Sequence, residues 1–256
     1  MTYNCIALQE RGPVGWFLFN RPPVNAVDRP MLDEIVASFE DLLARPAVRV
    51  VVIASAIDRY FNAGADMAAF KDATKDELRA WIGQTHRLAR LVRGADKPVL
   101  AAINGVAVGG GLEMALHADL RFAAADARLG QPEINIAFIP PIAGTQALVR
   151  LVGRSQAFRI LYGGALIPAD EALRVGLVDF VTDRLADDVQ AYAENLAHKP
   201  ANALAAIRRC LVDGGGESFD VGLDIERAQA EALVAHPNFE EGVAAFLEKR
   251  TPNWTV

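Results

Sequence analysis

The sequence is poor in the residues that build covalent or metal frameworks. It has two cysteines, Cys5 and Cys210, far apart and in no ligand spacing. A disulfide scaffold is not expected, and a reducing compartment fits better. The four histidines (His86, His117, His198, His236) pair neither with one another nor with carboxylates at metal-binding intervals, so no metal is expected. Positive charge is in deficit: 26 Lys and Arg stand against 32 Asp and Glu, a net charge of -6. That balance argues against a nucleic-acid surface, which needs clustered cations, but leaves room for a small basic patch for one phosphorylated ligand. The longest apolar run, Pro98 to Ile103, is far too short to span a bilayer. Neither the start, Met1-Thr2-Tyr3-Asn4, nor the end, Asn253-Trp254-Thr255-Val256, reads as a targeting signal, so the expectation is a cytoplasmic protein with no membrane partner.

What is present is a large apolar fraction, 52% of 256 residues, enough for a full core without staples. The first half alternates strands and helices. Cys5–Gln9 and Val14–Phe19 read as strands around Arg11-Gly12-Pro13. Asp28 is a helix N-cap, with Pro30 in the first turn and apolar residues at helical spacing through Leu43. Val48–Ile53 and Pro98–Ile103 read as buried strands, Ala56–Tyr60 as a turn, and Asp76–Val92 as an amphipathic helix. Gly111–His117 reads as a short helix and Leu120–Ala123 as a strand. After about Pro140 the pattern is nearly all helical: 144–152, 155–162, 168–174, 185–198, 201–212, 219–235 and 239–249. Val178–Val181 is the one further strand. The class is therefore α/β with a helical C-terminal third.

Several common chemistries lack their signatures. There is no Walker lysine pattern. Gly109 and Gly111 open a dinucleotide-like glycine run, but Met114 stands where its last glycine belongs. Around Ser155 a nucleophile elbow lacks its final glycine and its preceding strand. The positive features are two turns and two acids. Asn104-Gly105 and then Gly109-Gly110-Gly111 lead from a strand into a helix and expose backbone N–H groups that can hold an oxyanion. Phe61-Asn62-Ala63-Gly64-Ala65-Asp66 is a second such turn. Glu113 and Glu133 lie among apolar neighbours, where a carboxyl can exchange protons near neutral pH. Singly, each has an ordinary reading: close packing, a plain connection, or a solvated surface.

Together, in this order and spacing, these segments resemble the crotonase superfamily and its enoyl-CoA hydratase/isomerase family. Asn20-Arg21-Pro22-Pro23-Val24-Asn25-Ala26, Gly130-Gln131-Pro132-Glu133, Gly144-Thr145-Gln146, Ala172–Val178 and Phe246–Arg250 extend the resemblance over nearly the whole chain. It implies an α/β spiral of repeated ββα units (ClpP-like) over residues 1–195, and a helical trimerisation region over 196–256. It further implies a homotrimer or homohexamer, an acyl-CoA thioester as substrate and no cofactor. By motif, the oxyanion hole falls to the N–H groups of Ala65 and Gly110, and the catalytic pair to Glu113 and Glu133. Contacts to CoA fall to Pro23, Val24, Ala63, Ala65, Asp66, Met67, Gly110 and Lys249. Keeping both glutamates favours hydration of a 2-enoyl-CoA. The alternatives are double-bond isomerisation or other acyl-CoA enolate chemistry, and a binding protein that no longer turns over.

Three departures bear on that choice. Pro141 stands where hydratases use a glycine N–H to hold water, and proline has none. Ile142 adds bulk beside it. Ala68 replaces a lysine near the CoA phosphates, for which Lys71 or Lys249 could substitute, and the Pro22-Pro23-Val24 segment is one residue short.

Overall fold

The computed structural model describes residues 2–255. A hairpin of β1 (Ile6–Arg11) and β2 (Val14–Phe19) opens the fold, and Asp28 caps α1 (Arg29–Ala44) by accepting from the Met31 N–H at 2.9 Å. Three ββα turns follow. The first is β3 (Val50–Ser55), β4 (Arg59–Asn62) and, after the short α2 (Met67–Lys71), α3 (Lys75–Arg93). The second is β5 (Val99–Ile103), β6 (Gly105–Val108) and α4 (Gly110–Leu116). The third is β7 (Leu120–Ala124), β8 (Arg128–Gly130), a 3₁₀ turn at Pro132–Ile136 and α5 (Gly144–Gly163). Each turn gives one strand to each of two sheets. Then come β9 (Ile167–Pro168), α6 (Ala169–Arg174), β10 (Phe180–Thr182), α7 (Leu185–Ala197), α8 (Ala201–Gly214), α9 (Phe219–Val234) and α10 (Pro237–Glu248).

The larger sheet has the order β1-β2-β3-β5-β7-β10 and is parallel except for β1-β2. Parallel strands need cover on both faces, which is why these read as unbroken apolar runs. Alternate residues serve the two faces: Val51 and Ile53 join the main core with Phe39 of α1 and Leu88 of α3, while Val50 and Val52 pack toward Val189 and Ala193 of α7. The smaller sheet runs β4-β6-β8-β9, with only its last pair antiparallel.

That smaller sheet is where the structure departs from the sequence reading. The expected turn at Ala56–Tyr60 gives way to β4 from Arg59, the segment between Asn104 and Gly109 is β6, and β8 was not expected. Strands of three or four residues are too short to express a period of two. The two helices expected at 144–152 and 155–162 do form, as one element broken at Gly153, whose φ of 74° leaves the helical region. Because β4, β6 and β8 are parallel neighbours, the segments leaving them gather at one end of the small sheet. These segments carry Ala65, Gly110 and Glu133.

Candidate active site

The glycine turn is shaped by its neighbours. Gly109 has φ 53° and ψ -132°, a conformation open to few residues besides glycine. Its N–H donates to the Gly130 carbonyl of β8 at 3.1 Å. A Cβ on Gly109 would lie 2.8 Å from Glu133 Oε1, and one on Gly111 would lie 2.5 Å from Asn62 Cβ and 2.6 Å from the Asn62 carbonyl oxygen. Glycine thus lets α4 close onto β4 and lets the Glu133 carboxyl reach the turn. Gly110 is the first residue of α4, so its N–H has no carbonyl one turn back.

The second turn brings another spare donor. Val27 and Ala65 form a one-residue parallel bridge in which the Val27 N–H donates to Gly64 at 2.7 Å and the Asp66 N–H donates to Val27 at 2.9 Å. This pattern passes over the Ala65 N–H, which has no acceptor among the described residues. Asn62 holds the turn by accepting from the Gly64 N–H at 2.8 Å. A Cβ on Gly64 would sit 3.7 Å from the Gly110 nitrogen, so the two turns meet. Both line a cavity of about 440 Å³, whose apolar walls include Phe70, Trp81, Ile82 and Phe138.

The two glutamates meet this cavity differently. Glu133, 9% exposed, lies on the 3₁₀ turn rather than the expected loop, and its carboxyl faces the cavity. Burial raises its pKa. The Gln131 amide, oriented with its nitrogen toward Glu133, reaches both carboxyl oxygens at 3.1 and 3.2 Å. Glu113 is 0% exposed and does not line the cavity. Its Oε1 accepts from the Gly144 N–H at 2.8 Å, while Oε2 has no partner. Burial raises its pKa well above the usual carboxylate value, the charge of Glu133 adds to this, and the N–H groups of Gly144 and Ile142 pull the other way. An ordinary surface role is excluded for both.

The segment Pro140–Gly144, which meets Glu113 through Gly144 and the cavity through Pro141, is fastened at three points. Thr85 Oγ1 donates to the Pro141 carbonyl at 3.0 Å, His117 Nε2 meets the Ile142 carbonyl at 2.6 Å, and Gly144 holds Glu113. Burial lowers the His117 pKa to about 4, so near neutral pH the ring is uncharged and Nε2 is the donor to that carbonyl. The Ile142 side chain is buried, with Cδ1 3.1 Å from where a Gly110 Cβ would be.

A model of the enoyl-CoA hydratase/isomerase family matches residues 10–256. The chain belongs to this family. It is similar to the crotonyl-CoA hydratase of Syntrophomonas wolfei, 35% identical over 99% of both chains. It is also similar to the short-chain-enoyl-CoA hydratase of Clostridium acetobutylicum, 31% identical over 98% of this chain and 97% of that one. Among solved structures, the enoyl-CoA hydratase of Bacillus anthracis superposes with a TM-score of 0.93 at 31% identity, covering 98% of this chain and 99% of that one. DspI of Pseudomonas aeruginosa gives 0.94 at 31%, covering 99% and 97%. The family's crotonase fold is the one described above.

Within this enoyl-CoA hydratase/isomerase chain, most of the expected CoA-binding positions are near one another. The Ala63 N–H donates to the Val24 carbonyl at 3.1 Å, tying the Pro23-Val24 segment to the second turn. Ala63 and Met67 line the cavity, and Pro23 is exposed. The Asp66 side chain is engaged internally: it accepts from the Ala68 N–H and pairs with Arg21 at 3.1 Å. Arg21 was not among the expected site residues. It also pairs with Asp28 at 2.8 Å and so clamps the 21–28 segment, a role no local sequence signal gives. Thr85 and His117 were missed in the same way, because their partners are distant in sequence, and Gln131 because only the folded 3₁₀ turn brings its amide onto the Glu133 carboxyl. Lys249 ends α10, exposed and away from the cavity lining. Among the described residues no helix is long and apolar enough to cross a membrane.

Proposed function

We propose that this protein hydrates a 2-enoyl-CoA thioester to the 3-hydroxyacyl-CoA, reversibly. The observation that carries this reading is the pair of spare N–H groups, Ala65 and Gly110, on a cavity that also receives the Glu133 carboxyl. The thioester carbonyl oxygen sits between these donors, which are worth most when it becomes an enolate oxyanion. Losing one such donor typically costs about 2.7–4 kcal/mol of transition-state stabilisation. Glu113 takes a proton from water as its oxygen bonds the β carbon, and Glu133 delivers a proton to the α carbon. The pKa rise at both glutamates suits proton exchange near neutral pH. Pro23, Val24, Ala63, Asp66 and Met67 form the path for CoA, mostly through backbone, and the reaction calls on no metal or redox group.

One observation favours a second reading. Glu113 is closed off from the cavity and Pro141 offers no N–H to a water, so Glu133 alone could shuttle a proton between the α and γ carbons in double-bond isomerisation. The test is crotonyl-CoA hydration by wild type, Glu113→Gln and Glu133→Gln. Hydration reduced by about 10²–10⁴ in both variants supports the hydratase. Turnover of a 3-enoyl-CoA that survives Glu113→Gln supports the isomerase.

We further assign residues 1–195 to the catalytic core and 196–256 to assembly as a trimer or dimer of trimers. This rests on the apolar side chains exposed there, among them Phe219, Leu211, Phe246 and Leu247. Two free cysteines fit a reducing, cytoplasmic setting.

A further inference from the structure

Helix α3 lines two spaces in succession. Leu78, Trp81 and Ile82 face the cavity of the active site. Ile82, His86, Arg90 and Arg93 face a second groove of about 430 Å³, whose opposite wall is the segment from Phe138 to Gln146. Ile82, Phe138 and Pro141 border both, so the two spaces adjoin along the helix. At 1.5 Å per residue, Arg90 lies about 12 Å beyond Ile82 along the axis.

Charge on this helix is divided by direction. Arg79 and Arg87, which face elsewhere, pair with Asp76 and Glu40, both at 2.7 Å. His86, Arg90 and Arg93 have no carboxylate within ion-pair distance among the described residues. Arg93 donates to the Val212 carbonyl at 3.1 Å. Burial lowers its pKa, and the charges of Arg150 and Arg208 lower it further, with Asp213 and Asp119 acting in the opposite sense. Arg208 is itself paired with Asp119 at 2.9 Å. The groove thus joins apolar walls to a cationic side that has no carboxylate partner among the described residues. Its complement is an apolar stem ending in an anion. An acyl chain that fills the first space and passes Phe138 supplies such a stem.

We propose that the acyl chain of the preferred substrate carries a carboxylate at its far end, received by Arg90 and His86 with Arg93 behind them. The substrate class is then a CoA monothioester of an unsaturated dicarboxylic acid. This rests on the acyl-CoA reading of the first cavity. The test compares ω-carboxy-2-enoyl-CoA thioesters of increasing length with neutral 2-enoyl-CoA thioesters of equal length, for wild type, Arg90→Gln and Arg90→Lys. The expected result is a kcat/KM at least about ten-fold higher for the carboxylated member at one length. Arg90→Gln removes that advantage through KM and leaves the neutral substrate unchanged, while Arg90→Lys restores part of it. Equal turnover of the two series at every length, or equal losses on both in Arg90→Gln, overturns the proposal. Calorimetry with the saturated ω-carboxyacyl-CoA separates this from failure of the hydratase reading. Excess affinity that depends on Arg90 supports the groove even if nothing is hydrated. Affinity equal to that of the neutral acyl-CoA rejects it.

Discussion

At Glu113 a carboxyl with no exposure accepts from the Gly144 N–H and lies within electrostatic reach of Glu133. Its folded pKa is raised, so the native state holds the proton more tightly than the unfolded chain does. The stability this gives is complete below the unfolded value near 4.5 and is lost as pH rises through the raised folded pKa. Glu113→Gln mimics the neutral acid and keeps the Gly144 bond. Thermal melts should therefore show no gain for this variant at acid pH and a gain in Tm that widens toward alkaline pH; a constant offset would contradict the assignment. Ile142 is a buried neighbour, its Cδ1 3.1 Å from where a Gly110 Cβ would be. Ile142→Ala should cost stability by about 2–5 kcal/mol, as buried truncations do. It should also raise the ratio of hydration to isomerisation by letting water reach Glu113. An unchanged ratio would show that Ile142 does not seal that acid.

At the scale of the element, the first turn of α4 serves two purposes that substitution can separate. Gly111→Ala places a methyl against the β4 backbone at Asn62 and should destabilise by about 1–3 kcal/mol, read in urea melts, with KM nearly unchanged in the folded fraction. Gly109→Ala adds backbone strain of about 1–3 kcal/mol at a positive φ and pushes on the Glu133 carboxyl, so kcat should fall more than stability does. The long elements were legible from periodicity and caps: α1 from Asp28, α3 from its amphipathic repeat, β3 from its β-branched run and β5 from its short apolar one. The strands that build the site were not. Arg59–Asn62, Gly105–Val108 and Arg128–Gly130 are held by partners from the next turn of the spiral, not by their own composition.

For the whole molecule, the exposed apolar side chains of the C-terminal helices set the expectation. Phe219 and Phe246 are 81% and 82% exposed in a single chain, a state that the proposed association would relieve. Sedimentation should give three or six times the monomer mass, and Phe246→Asp with Phe219→Asp should shift it toward monomer while leaving the ββα core folded by circular dichroism. A monomeric wild type would remove the assembly proposal.

By itself the sequence determined the α/β class, the helical final third, the two glycine turns and the two acids, because glycine runs, caps and apolar periods are local. Its motifs also carried the resemblance that named the family. Only the tertiary structure decided that three short parallel strands bring those turns together, leaving the Ala65 and Gly110 N–H groups without partners. It also distinguished the two glutamates, putting Glu133 on the cavity and Glu113 off its lining, fully buried. Burial and electrostatic reach depend on what packs from far along the chain, and no local pattern encodes that.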